Sequence, residues 1–120
     1  MTITYQEYPE TKTVEMAVNG RITRADYDTA VDQMQTFIDA QGTVKFIEIV
    51  HSFDGFDPSV IWPGVKFDFR NISHISHVAI VSDIGWLGPI SKAAGALMPT
   101  KLRTFTLAEL DKAREWAKAA

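Results

Sequence analysis

Residues able to do acid–base or metal chemistry gather at two places in the chain. His51, Asp54 and Asp57 lie in the run His51-Ser-Phe-Asp-Gly-Phe-Asp-Pro58. That run follows an apolar stretch with the composition of a buried strand. Open α/β sheets bind ligands beyond the carboxyl ends of such strands, so His51 and Asp54 are candidates for an acid and a base. Asp54 before Gly55 is also ordinary turn composition. His74-x-x-His77 has the spacing of a metal pair. It falls at a helix-to-strand junction, no nearby carboxylate completes a set, and the chain has no cysteine. The nucleophile elbow G-x-S-x-G and the phosphate loop G-x-x-x-x-G-K-S/T are both missing from the sequence, and Gly85-x-x-Gly88 is not a dinucleotide fingerprint. The residues therefore point away from an enzyme: no catalytic residue, no metal site and no cofactor is expected.

The elements that would position these residues can be read from periodicity. Residues 3–8 and 13–19 form two strands joined by a turn at Pro9-Glu-Thr-Lys12, an expected hairpin. Thr23 is an N-cap with Asp26 three residues on. Tyr27, Ala30, Val31, Met34, Phe37 and Ile38 then fall at helical spacing, and Gly42 is placed to end the helix. Asp28, Asp32, Gln35 and Asp39 take its other side, a solvated acidic face. Residues 44–50 form a buried strand, and 51–58 read as a loop. A second helix is expected over about 58–72, with Pro63-Gly64 weakening its first turns. Residues 78–81 form another buried strand. Asp83 is placed to cap a third helix reaching towards Leu97, and Pro99-Thr100 ends it. Residues 101–106 form a last strand. Thr106 with Glu109 makes a capping box for a final helix whose apolar side carries Leu107, Leu110, Ala113 and Ala117. The expected order is β-β-α-β-α-β-α-β-α, an α/β sandwich with about four helices on a mixed five-stranded sheet, in one domain over 1–120.

Composition agrees. With 120 residues, 46% apolar and 22% charged, the chain has the make-up of an ordinary globular domain. A net charge of −3 gives no support for nucleic-acid binding, and the absence of cysteine leaves stability to packing. The start Met1-Thr-Ile-Thr-Tyr-Gln-Glu-Tyr8 has neither a basic nor an apolar run, so no signal peptide is expected. Residues 84–99 are too short and too broken by proline and glycine to span a bilayer. The expected location is the cytoplasm, with peripheral contact at the inner face of the membrane left open.

Several features in this order resemble the SpoIIAA-like family, a branch of the STAS-type domains also described as STAS/SEC14-like. They are Ile47-Glu-Ile-Val-His-Ser-Phe-Asp-Gly-Phe56, Trp62 followed by Lys66-Phe67, Val78-Ala-Ile-Val-Ser-Asp83 with Trp86 behind it, Phe105, and Ala113-x-x-Trp116. The resemblance covers nearly the whole chain. It implies a STAS-like sandwich acting as a small regulatory or binding domain. STAS domains of sporulation control are anti-sigma-factor antagonists, switched by phosphorylation of a serine in the loop leading to the second helix. Ser52 and Ser59 are the candidates here. Phe53 and Phe56 stand where phosphorylated domains carry small polar residues.

The resemblance also implies apolar-ligand binding and membrane association, and the two middle helices suit that role. Val60, Ile61, Trp62, Val65, Phe67, Phe69 and Ile72, then Trp86, Leu87, Ile90, Ala93, Ala94, Leu97 and Met98, cover more than one helical face each. A pocket between these helices, lined by Phe56, Trp62, Phe67, Trp86, Leu87, Ile90 and Met98, would take a small apolar or lipid-like ligand. The same surplus apolar surface would equally serve plain interhelical packing, a homodimer interface or a regulatory protein partner.

Overall fold

Two strands of this chain are apolar on both faces, and that calls for cover on both sides of a sheet. The computed structural model describes residues 3–56, 70–85, 89, 92, 96 and 100–120, and shows how the cover is arranged. Five strands, β1 (Ile3–Tyr8), β2 (Thr13–Ile22), β3 (Val44–Phe56), β4 (Ile75–Ser82) and β5 (Lys101–Phe105), lie side by side in chain order. β1 and β2 are antiparallel, and every later pair is parallel. The sheet is therefore mixed, with the expected hairpin at one edge. The described residues contain two α-helices, α1 (Arg24–Gln41) and α2 (Leu110–Lys118). The expected helices after β3 and β4 fall almost wholly outside the described residues. Arg70 and Asn71 have helical backbone, as do the exposed Pro89 and Lys92.

α1 forms where its signals place it. Thr23 caps it by accepting from the Asp26 N–H at 3.2 Å, and Gly42, at φ +87°, donates its N–H to Ile38 O at 2.8 Å. Glycine suits that positive φ, which a Cβ would strain. Ala30, Met34, Phe37 and Ile38 are buried against Ile3, Val14, Met16, Val18, Val44 and Phe46. The opposite sheet face carries Ile47, Ile49, Ala79, Val81 and Phe105, buried under Ala113 and Ala117 of α2. α1 thus covers β1, β2 and β3, and α2 covers β3, β4 and β5.

Three strands run longer than expected. β2 continues past Asn19 to Ile22, β3 past Val50 to Phe56, and β4 begins at Ile75. The expected loop 51–58 is strand as far as Phe56, and 57–58 lie outside the described residues. The reason is mutual support. β2 and β3 extend together, and Gly20 (φ +90°) and Gly55 (φ +104°) absorb irregularities that in sequence read as turns.

α2 is held by polar as well as apolar contacts. The Thr106–Glu109 capping box is present, with Thr106 N–H donating to Glu109 Oε1 at 2.9 Å. That bond holds the Glu109 carboxyl below its usual pKa range. Glu15, 8% exposed on β2, receives Arg114 in a two-point contact, Nη2–Oε1 at 2.6 Å and Nε–Oε2 at 3.2 Å. Tyr8 Oη donates to the same carboxylate at 3.2 Å. His77 on β4 meets the Trp116 ring edge-on at 5.3 Å between centroids. Burial, and then the neighbouring Lys101 and Lys45, hold its imidazole below the ordinary pKa.

Two outcomes are expected. Arg114→Ala leaves Glu15 buried with Tyr8 as its remaining partner among the described residues, and should cost about 2 kcal/mol in urea denaturation. An unchanged midpoint would show that the ion pair adds nothing. For His77 the fold favours the neutral ring, so the unfolded chain binds more protons between the lowered pKa and 6.5. That part of the stability is complete above this window and is lost as pH falls through it. The urea midpoint should drop between about pH 7.5 and 5.5, and His77→Gln should remove part of the drop. An identical drop in the variant would acquit His77.

Candidate functional site

The sheet is uneven at its carboxyl end. The last β3–β4 pair is Val50↔Ser82, but β2 and β3 stay paired as far as Ile22↔Phe56. A two-stranded parallel ribbon therefore continues beyond the sheet. Its two strands are clipped together by one hydroxyl. Ser52 Oγ donates to Asn19 Oδ1 at 2.6 Å and accepts from the Gly20 N–H at 2.9 Å. Ser52 is half-buried, and its donor and an acceptor position are both engaged. On the same ribbon the Arg21 guanidinium passes 3.5 Å from where a Gly55 Cβ would stand. His51 and Asp54 are exposed on it.

The neighbouring strand end has its own network. Ser82 Oγ donates to Val50 O at 2.9 Å and accepts from the Ile84 N–H at 3.1 Å. Asp83 Oδ1 accepts from the Leu107 N–H at 3.0 Å. Asp83 thus serves the turn leading into α2, and its expected role as cap of the third helix concerns residues outside those described. The carboxyl end of the sheet brings together Asn19, Arg21, His51, Ser52, Asp54, Ser82 and Asp83. Among the described residues no group of three acidic, histidine or cysteine side chains could hold a metal ion. His74 is exposed in the 3-10 turn Ile72–His74 and His77 lies in β4, so the pair straddles the junction expected of it.

The sequence profile of the SpoIIAA-like family matches residues 13–118. The chain belongs to the SpoIIAA-like family. A crystal structure of an uncharacterised DUF3478-family protein from Shewanella loihica PV-4, described as having a SpoIIAA-like fold, superposes with a TM-score of 0.76. It is 16% identical, and the match covers 96% of this chain and 91% of that one. At that identity the likeness speaks for the fold. No curated protein matches the chain.

Within this SpoIIAA-like domain the expected site residues divide unevenly. Ser52 is placed, on the ribbon. Phe56 ends β3, but its side chain is not among those described. Ser59, Trp62, Phe67, Trp86, Leu87, Ile90 and Met98 lie outside the described residues. Asn19, Gly20 and Arg21 were missed by sequence reasoning, because Asn-Gly has turn composition and nothing local joins it to Ser52. Among the described residues no helix is long and apolar enough to cross a membrane.

Ser52→Ala removes the clip and leaves the Gly20 N–H without its acceptor. The expected cost is about 1 kcal/mol in urea denaturation. An unchanged stability would show that the ribbon does not depend on the hydroxyl.

Proposed function

We propose that this SpoIIAA-like domain is a non-catalytic regulatory module that works by binding a protein partner, in the manner of an anti-sigma-factor antagonist. Its working surface is the carboxyl end of the sheet. The observation that carries this reading is the Ser52 clip. A phosphoryl group on Ser52 cannot donate to Asn19 Oδ1, so the 2.6 Å bond is lost and two acceptors face each other. The Gly20 N–H and the Arg21 guanidinium, on the same ribbon, favour the added charge. Modification would therefore reshape the ribbon and the surface it offers, without any chemistry performed by the domain.

The test compares wild type, Ser52→Ala and Ser52→Asp in quantitative affinity capture from the source cells, with folding checked by circular dichroism. A partner should be retained by wild type, less firmly by Ser52→Ala, which loses the clip without gaining charge, and should change most in occupancy with Ser52→Asp. Equal capture by all three removes the switch; Ser59→Asp in the same assay tests the other candidate.

A second reading keeps the apolar or lipid-like ligand. Val78, Ile80 and Leu102 lie on β4 and β5, beyond the strands that α1 covers, and are only half-buried. A half-buried apolar face of this kind supports the reading, because apolar ligands bind where a few side chains leave apolar surface open. Native mass spectrometry decides it. A co-purified acyl molecule would favour a carrier, and a bare protein would count against one.

A further inference from the structure

The opposite end of the sheet has a chemistry of its own. Register places Tyr8, Thr13, Lys45, His77 and Lys101 directly abreast, one from each strand. Three adjacent strands thus carry basic side chains in one lateral row. Neighbouring strands are about 4.8 Å apart, and like charges directly opposite one another destabilise a sheet. The last turn of α2 stands over the row. His77 faces Trp116, and Lys118 Nζ lies 3.6 Å from the Tyr8 ring centroid. Lys45 Nζ donates to the main-chain oxygen of Ala120 at 2.7 Å, and His77 Nδ1 lies 2.9 Å from Ser76 Oγ. Arg103, two residues along β5, covers the Phe105 ring at 5.0 Å.

Of the described acids on this side, Glu109 acts on Arg103 and Lys112. Glu15 is engaged by Arg114 and Tyr8. Asp111 approaches Arg114 at 3.7 Å, and Glu115 is exposed on α2. The α1 side of the sheet is the reverse, with Asp28, Asp32 and Asp39 exposed along one helix. A chain of net charge −3 thus gathers Lys45, His77, Lys101, Arg103 and Lys118 on one surface. Such a concentration attracts anions whatever the sign of the whole molecule.

We propose that the row Lys45–His77–Lys101, under the last turn of α2, is a binding site for a phosphomonoester group. A dianion offsets the two lysine charges that flank His77 more fully than a monoanion does. Flexible lysine stems converge on its oxygens from the outer strands, and His77 between them gains a partner for its protonated form. Burial and the two lysines disfavour that form when no anion is bound. The phosphate could belong to a soluble metabolite or to a lipid headgroup; the chemistry is shared, and the experiment separates them.

The probe is inorganic phosphate, titrated against chloride at matched ionic strength. The His77 imidazole is followed by NMR and assigned with His77→Gln. Phosphate should raise the His77 pKa saturably and raise the melting temperature, and chloride should do neither. Lys101→Ala, an exposed edge-strand change, should weaken the effect about tenfold, the loss of one charge-assisted contact. Arg24→Ala, on the other side of the sheet, should leave it unchanged. In parallel, sedimentation with phosphatidic acid vesicles is compared with phosphatidylcholine vesicles. Phosphatidic acid binding that Lys101→Ala weakens assigns a lipid headgroup. Saturable phosphate binding without vesicle binding assigns a soluble ligand. The proposal falls if phosphate acts no differently from chloride and neither vesicle binds. It falls equally if Lys101→Ala and Arg24→Ala behave alike.

Discussion

β3 has to be buried on both faces at once, and the rest of the molecule is arranged around that requirement. Val44 and Phe46 pack with α1, while Ile47 and Ile49 pack with α2. A parallel strand of this kind cannot face water on either side. The sheet therefore needs helices on both faces, and α1 and α2 meet that need over different strands. β3 also sets register on both sides, with β2 from Thr13↔Lys45 and with β4 from Val44↔Ile75. A slip of one residue would exchange its two apolar sets and carry Lys45 into the α1 core.

What could be read in the sequence was whatever local chemistry decides. Thr23, Gly42 and the Thr106–Glu109 box bound their helices because each signal involves residues a few positions apart. The alternation in β2 and the turn Pro9-Glu-Thr-Lys12 placed the hairpin for the same reason. Long-range register was not legible. Asp54-Gly55 read as a turn, yet β2 runs alongside and turns it into an irregular strand. Glu15 looked like the polar half of an alternating strand, and its partner Arg114 lies 99 residues away. The Lys45–His77–Lys101 row was invisible for the same reason, since only strand pairing brings those residues abreast. Of the residues expected to hold a ligand or a phosphoryl group, Ser52 alone has a described side chain; the side chains of the aromatic residues expected to line a pocket lie outside the described part.

The two ends of the parallel strands therefore carry different chemistry for a physical reason. At the carboxyl end, β2 and β3 outrun β4, and backbone groups there are served by short polar side chains: Ser52, itself held by Asn19, and Ser82 and Asp83. Hydroxyls and small carboxylates suit that task because they reach only as far as neighbouring backbone. At the amino end the strands start level, so side chains of successive strands stand side by side. Long basic side chains there cannot avoid one another through backbone geometry, only through their flexible stems. The lateral row is thus a consequence of strand register, and the ribbon a consequence of strand length.

α2 connects these ends without being stable by itself. Nine residues are too few for an isolated helix in water, so its position depends on what holds it. The Thr106 box and Asp83 fix its start above the carboxyl ends of the strands. Ala113 and Ala117 bring it close to the sheet because they have almost no side chain to hold it away, and Arg114 anchors its middle on Glu15. Trp116 then supplies the bulk that the two alanines lack, filling the space between His77 and Phe105. A larger residue at either alanine would lift the helix and break the Arg114 contact, whose short polar geometry tolerates little displacement. The small residues and the ion pair are therefore one design: the first sets the distance that the second requires.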